Sequence, residues 1–291
     1  MGDVTGIAWT DYTFNYWEGC TKVGPGCDHC YAEARDARFH EGRHWGVGAP
    51  RRLTSIHNRN NLARWNRSVE ATGKRWVFCS SLSDVFDNAI DPAWRTDLFD
   101  RVRAARNLRF QIVTKRIGNV ARMVPGDWAN AFGHCGIIIT VVNQAEAARD
   151  VIKLLRTPAA WRGISYEPAL GAIDFRNLAI RHGGRKARLD ALAGTISQDG
   201  IVVETLPALD WLIVGGESGS FARSFDPAWA ASIVAQGAAT GVPVFVKQMG
   251  SSPVGMALAH RKGEDPAEWP ESLRIREMPR VYATGGRLVA A

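Results

Sequence analysis

A chain of 291 residues, 46% hydrophobic and 22% charged, can bury a large core, and its length suits a single α/β barrel. It has no apolar run of about 18 residues and no basic-then-apolar leader, so nothing argues for a membrane span or for export. Five cysteines at uneven spacing do not make a secreted disulfide framework, so the chain reads as cytoplasmic with reduced thiols, while a net charge of +7 and a pI near 9.4 leave room for an anionic partner.

A first strand is expected near GIAWTDYTFNYWEG, residues 6–19. The next stretch, GCTKVGPGCDHCYAEARDARF, places Cys20, Cys27 and Cys30 at C-x6-C-x2-C. Residues 31–75 then hold ten Lys and Arg against four Asp and Glu, with His40, His44 and His57 and the aromatics Phe39, Trp45 and Trp65 interleaved. Six apolar runs follow: RWVFCSSL (75–82), RFQIVTK (109–115), CGIIITVV (135–142), WRGISYEP (161–168), DWLIVGGE (210–217) and PVFVKQMG (243–250). Their Val, Ile and Phe content fits strands buried on both faces of a parallel sheet. Between them, DPAWRTDLFDRVRAAR and DPAWAASIVAQGAATG open on the Asp-Pro start signal, and NQAEAARDVIKLLR repeats apolar residues at helical spacing. A second basic run, Arg176–Arg188, contains no acid and lies in a basic insertion at about 175–207. Alternating strands and helices imply right-handed βα units. The expected fold is α/β: a full or partial (β/α) barrel of about six to seven parallel strands, one domain over 1–291.

Each apolar run ends in polar residues: Ser80, Ser81, Ser83 and Asp84; Thr114, Lys115 and Arg116; Thr140 and Asn143; Glu167; Gly215, Gly216 and Glu217; Lys247 and Gln248. Any one of them alone is as well read as a helix cap. In a parallel barrel the C-terminal strand ends meet on one rim, so together they predict a polar cavity there, with the three-cysteine loop beside it.

Three thiols admit three readings. A structural zinc site needs four ligands, with His29 or His40 as the fourth, but only one C-x2-C pair is present. A [4Fe–4S] cluster held by three thiolates keeps one iron open to substrate or cofactor, and Gly19, Gly24 and Gly26 would let the backbone wrap so bulky a group. The third reading is unligated thiols. Cys79 and Cys135, inside apolar runs, are expected to be core residues and not ligands.

A three-cysteine loop after the first strand of such a barrel resembles the radical S-adenosylmethionine (SAM) enzymes. More closely, IAWTDYTFNYWEGCTKVGPGCDHCYAE, SLSDVF, TKR, SYEPALG, WLIVGGESG, VPVFVKQMG and DPAEWPESLRIREMP resemble the phage Gp37/Gp68 family from about residue 7 to 279. The resemblance implies a radical-SAM-like barrel and a [4Fe–4S] cluster on Cys20, Cys27 and Cys30, with an external electron donor. Its open iron would bind S-adenosylmethionine, which on reduction yields a 5′-deoxyadenosyl radical. It implies a place for His29 near the adenine. Ser80, Ser81, Ser83 and Asp84 would lie at the second-strand position that grips the methionine amine. Lys115 and Glu167 would be further cofactor contacts, and Glu217 would reach ribose or substrate. Two departures stand out. The superfamily's usual first spacing is C-x3-C, and its Gly-Gly-Glu motif follows the second strand, whereas here it follows the sixth.

The basic segment directly follows the cysteine loop, which points to a nucleic-acid substrate, DNA ahead of RNA, with lesion repair or base modification as the chemistry. Arg35, Arg38, Arg51, Arg52, Arg59 and Arg64 are the candidates for backbone contacts, and Trp45 and Trp65 for base stacking. The bland alternative is a solvated basic face over core tryptophans. Two other classes remain: a radical enzyme acting on a small molecule or peptide, and a zinc-stabilised nucleic-acid-binding protein without redox chemistry.

Overall fold

The computed structural model describes residues 5–280. In chain order the strands are β1 (Tyr12–Phe14), β2 (Trp17–Glu18), β3 (Arg52–Leu53), β4 (Trp76–Cys79), β5 (Arg109–Thr114), β6 (Cys135–Thr140), β7 (Trp161–Tyr166), β8 (Leu178–His182), β9 (Arg185–Asp190), β10 (Thr195–Gln198), β11 (Ile201–Thr205), β12 (Trp211–Gly215) and β13 (Val244–Gln248). The helices are α1 (Tyr31–His40), α2 (Ile56–Arg59), α3 (Asn61–Thr72), α4 (Pro92–Ala104), α5 (Ile117–Met123), α6 (Trp128–Ala131), α7 (Gln144–Arg156) and α8 (Pro227–Thr240).

All seven expected strands, the first one and the six apolar runs, enter one parallel sheet, in the order β1-β4-β5-β6-β7-β12-β13. The order has two ends, so this is a partial (β/α) barrel and not a closed one. Every residue of β6, β7 and β12 is buried, the pattern of strands covered on both faces. The helices start where side chains supply the first hydrogen-bond acceptors. Asp91 and Asp226 each accept from the backbone N–H two residues on, with proline in the first turn, and Asn143 accepts from Glu146 N. Gly241, at φ +75°, closes α8 in the left-handed region where a Cβ is strained.

By contact density, the described residues form two compact units: 5–138 with 158–160, and 139–157 with 161–280. In the first, α3 turns Leu62, Trp65 and Val69 inward, and the Trp65 ring stacks on Tyr12 at 4.3 Å with Phe14 edge-on. Burying an aromatic or aliphatic side chain contributes about 1.5–3 kcal/mol, so this stripe fixes α3 against the sheet. A two-residue antiparallel ladder joins β2 to β3, Trp17 opposite Leu53 and Glu18 opposite Arg52. In the second unit the basic insertion is an antiparallel sheet, β11-β10-β9-β8. Its hairpins turn at Gly183-Gly184 and Asp199-Gly200, all four at positive φ, as two-residue turns of the type I′ kind require.

Candidate functional site: a three-cysteine loop

The cysteine loop is pinned where it leaves β2. Gly19 N donates to Leu82 O at 3.1 Å, and the backbone runs parallel to neighbouring segments, Gly19 beside Ser83 and Cys20 beside Trp45. Gly19 has φ +105°, and a Cβ there would stand 2.4 Å from His44 O, so only glycine passes. The loop continues through a short 3-10 turn, Pro25–Cys27, with Cys27 N donating to Gly24 O. Cys30 is the N-cap of α1. All three thiols are half-buried. Burial pushes the Cys20 thiol up to about 11, against the opposing pull of Arg116.

Arg116, which the sequence places only among the polar strand ends, has a specific part in the loop. It follows β5, and its Nη1 donates to Cys20 Sγ at 3.3 Å while its Nη2 donates to Thr21 O at 2.8 Å. The same guanidinium faces the Asp84 carboxylate at 3.2 Å and Asp87 at 3.9 Å. Asp84 is itself saturated. It accepts from Phe86 N, Thr114 Oγ1 and Lys115 N as well as from Arg116. Its carboxylate therefore braces Arg116 against the loop. A basic residue directly after TK in the TKR motif was the available signal for Arg116.

The other residues assigned near the cofactor are placed as follows. Ser80 is buried. Ser81 Oγ accepts from Asn15 Nδ2 and its carbonyl from Tyr31 Oη, tying the segment after β4 to the start of α1. Ser83 Oγ, beside Gly19, is buried with no hydrogen-bond partner among the described residues. His29 is exposed on the loop between Cys27 and Cys30, and Lys115 is half-buried.

Glu167 and Glu217 belong to the second unit. Lys247 Nζ stands 3.0 Å from Glu167 Oε1. Glu217, buried, is gripped by Arg223 through its backbone N–H at 2.9 Å, Nε at 3.0 Å and Nη2 at 2.7 Å. The two glycines before it answer to packing. A Cβ on Gly216 would lie 2.4 Å from Met249 O, and one on Gly215 would lie 2.7 Å from Glu167 Oε1. The Gly-Gly-Glu motif here combines close approach of the two glycines to Met249 and Glu167 with an internal ion pair from Glu217 to Arg223.

The basic segment divides in the same way. Arg51, with a side chain 2% exposed, donates to Asp87, Thr21 Oγ1 and the carbonyls of His44, Gly46 and Ala49. Trp65 lies in the core. Neither offers a surface to phosphate or base, because one is consumed by the loop's own carbonyls and the other by the α3 stripe. Arg35 and Arg52 both pair with the buried Glu18. Arg59 lies over the Tyr16 ring, and Arg64 donates to Asn61 Oδ1. Arg38 is exposed beside Phe39, and Trp45 is half-buried.

Three soft sulfur donors on one half-buried loop fit an iron–sulfur cluster better than a hard cation, and the orphaned Ser83 Oγ at the loop's root fits a site that a further group completes. Among the described residues no group of three or more Cys, His, Asp or Glu side chains converges closely enough to hold a single metal ion. Cys79 and Cys135 are buried in β4 and β6. Burial pushes the Cys79 thiol up to about 12 and the Cys135 thiol well above its ordinary value. No helix of the described residues is long and apolar enough to cross a membrane.

Residues 4–273 match the family described as "Protein of unknown function (DUF5131)", and the chain belongs to that family. No curated protein and no solved structure matches it.

Proposed function

We propose that this DUF5131 family member is an iron–sulfur enzyme of the radical S-adenosylmethionine type, acting on nucleic acid. One observation carries the reading: Cys20, Cys27 and Cys30 share a single half-buried loop whose root is pinned to the segment after β4 in a parallel βα sheet. Its motif resemblance to the phage Gp37/Gp68 family points the same way. When bound, a [4Fe–4S] cluster with S-adenosylmethionine supplies one-electron cleavage of the sulfonium, using an external donor.

The chain's own residues have separable tasks. Cys20, Cys27 and Cys30 ligate. Arg116, braced by Asp84, donates to Cys20 Sγ and fixes the loop through Thr21 O. Ser83 Oγ is the free hydroxyl beside the loop, and is assigned to the cofactor. A radical enzyme acting on a small molecule or peptide is the second reading. It gains from the burial of Arg51 and Trp65, which removes two of the residues assigned to a nucleic-acid face on residues 31–75.

Anaerobic reconstitution with iron and sulfide tests the proposal. The expected result is a brown protein with about four irons per chain, whose reduced spectrum in electron paramagnetic resonance shifts on adding S-adenosylmethionine, and which releases 5′-deoxyadenosine. A colourless anaerobic preparation holding one zinc per chain would end it.

A further inference from the structure

The antiparallel insertion of the second unit carries a cationic groove that the cysteine loop does not need. Pairing of β8 with β9 sets Arg181 directly opposite Lys186 and Ala179 opposite Arg188, and pairing of β9 with β10 sets Ser197 opposite Arg188. Side chains alternate along a strand, so Arg181, Lys186 and Arg188 emerge on one face of the sheet. All three are exposed. Like charges directly across a ladder destabilise it, so this face is arranged against the sheet's own stability.

The carboxylates nearby do not relieve it. Asp199 pairs with Arg185 at 2.8 Å, and Glu204 pairs with Arg156 and His182. Among the described residues the side chains of Lys186 and Arg188 make no hydrogen bond or ion pair, and that of Arg181 donates only to Gly184 O. A groove of about 790 Å³ lies here, walled by Arg149 and Ile152 of α7 and lined by Arg181, Lys186, Arg188 and Ser197. Its lining contains four cationic side chains and one carboxylate, the already paired Asp199, and no Phe, Tyr or Trp.

We propose that this groove binds the phosphodiester backbone of duplex DNA. The charge is complementary to a phosphate ridge, and unpaired cations at fixed sheet positions are the donors such a backbone takes. A single strand is normally held by aromatic side chains on which its bases stack, and the lining has none. Contacts of this kind carry no sequence information, so binding is insensitive to base sequence. The inference rests on the nucleic-acid part of the proposed function and needs neither the cluster nor S-adenosylmethionine.

The experiment is filter binding of the full chain to a short DNA duplex across a salt series, with the same single strand as a parallel arm and no cofactor added. The triple variant Arg181→Gln, Lys186→Gln, Arg188→Gln should keep its far-ultraviolet circular dichroism, since all three side chains are exposed. It should flatten the slope of log affinity against log salt by about 2.7, at about 0.9 for each duplex phosphate no longer neutralised. An unchanged slope in this variant, or a slope flattened only by Arg38→Gln with Arg64→Gln, would overturn the proposal. So would tighter binding of the single strand, or displacement of the duplex by a poly-glutamate peptide at equal charge. Cluster spectroscopy is unaffected by any of these outcomes, so failure here is distinguishable from failure of the radical-enzyme reading.

Discussion

Replacing Arg51 separates a structural from a phosphate-binding arginine. Its side chain is 2% exposed, and Asp87, the carboxylate it faces at 2.9 Å, is 5% exposed. The guanidinium also holds Thr21 Oγ1 at 2.6 Å and the carbonyls of His44, Gly46 and Ala49 between 2.9 and 3.3 Å. Arg51→Met removes one partner of a buried ion pair, which costs about 3–5 kcal/mol because the remaining charge is left buried and uncompensated. With a urea dependence near 3 kcal/mol/M, the denaturation midpoint should fall by about 1–1.7 M.

Two further variants keep that test clean. Arg51→Lys retains the charge but cannot serve an aspartate, a hydroxyl and three carbonyls at once, so an intermediate loss of about 1–3 kcal/mol is expected. Adding Asp87→Leu to Arg51→Met takes away the stranded carboxylate, and the double variant should recover part of the loss, a coupling that a double-mutant cycle reads directly. Stability of Arg51→Met within about 0.5 kcal/mol of the parent, together with a flattened salt dependence of DNA binding, would refute the structural assignment and return Arg51 to the surface.

Three other outcomes are expected. Cys20→Ala, Cys27→Ala and Cys30→Ala should each strip the reconstituted chromophore while Cys79→Ala and Cys135→Ala leave iron content unchanged; half-loading in either of the latter two would reveal a missed ligand. Arg116→Gln should retain iron but move the cluster potential to a more negative value, because a charged donor to Cys20 Sγ is removed, and an unshifted midpoint in a redox titration contradicts this. Burial lowers the pKa of His134, whose Nε2 meets Val102 O at 2.9 Å while Nδ1 has no partner among the described residues. The unfolded chain therefore binds the proton more readily, and stability should fall as the pH drops below about 6.5. His134→Gln should flatten that decline in denaturant titrations at pH 7 and pH 5.

The strands are legible in the sequence because their cause is local. Runs such as CGIII and WLIVG are apolar at every position, and the Asp-Pro pairs that open α4 and α8 supply caps that need no distant partner. The insertion stands out in the sequence chiefly as charge, although RHGGR and QDG flanked by alternating residues carry a hairpin signal. The burial of Trp65 is also within reach, since Leu62, Trp65 and Val69 sit at helical spacing. That of Arg51 is not. Its counter-charge is 36 residues away, and nothing in the run APRRL tells the arginine that turns inward from the one that turns out.

The same distinction governs the proposed cofactor site. A motif specifies which residue types are present, whereas a ligand needs atoms that the fold has not already used. Asp84 has the right chemistry for an amine, but Phe86, Thr114, Lys115 and Arg116 occupy it, and Glu217 is spoken for by Arg223. Ser83 is the plainer residue of the set, yet its hydroxyl is buried beside Gly19 and unmatched among the described residues. A buried hydroxyl without a partner costs about 1–3 kcal/mol. Ser83→Ala should therefore be neutral or stabilising in the cluster-free chain and should weaken S-adenosylmethionine binding in the reconstituted one. Were Ser83→Ala instead to destabilise the cluster-free chain, the hydroxyl would already be satisfied from within, and its assignment to the cofactor would fall.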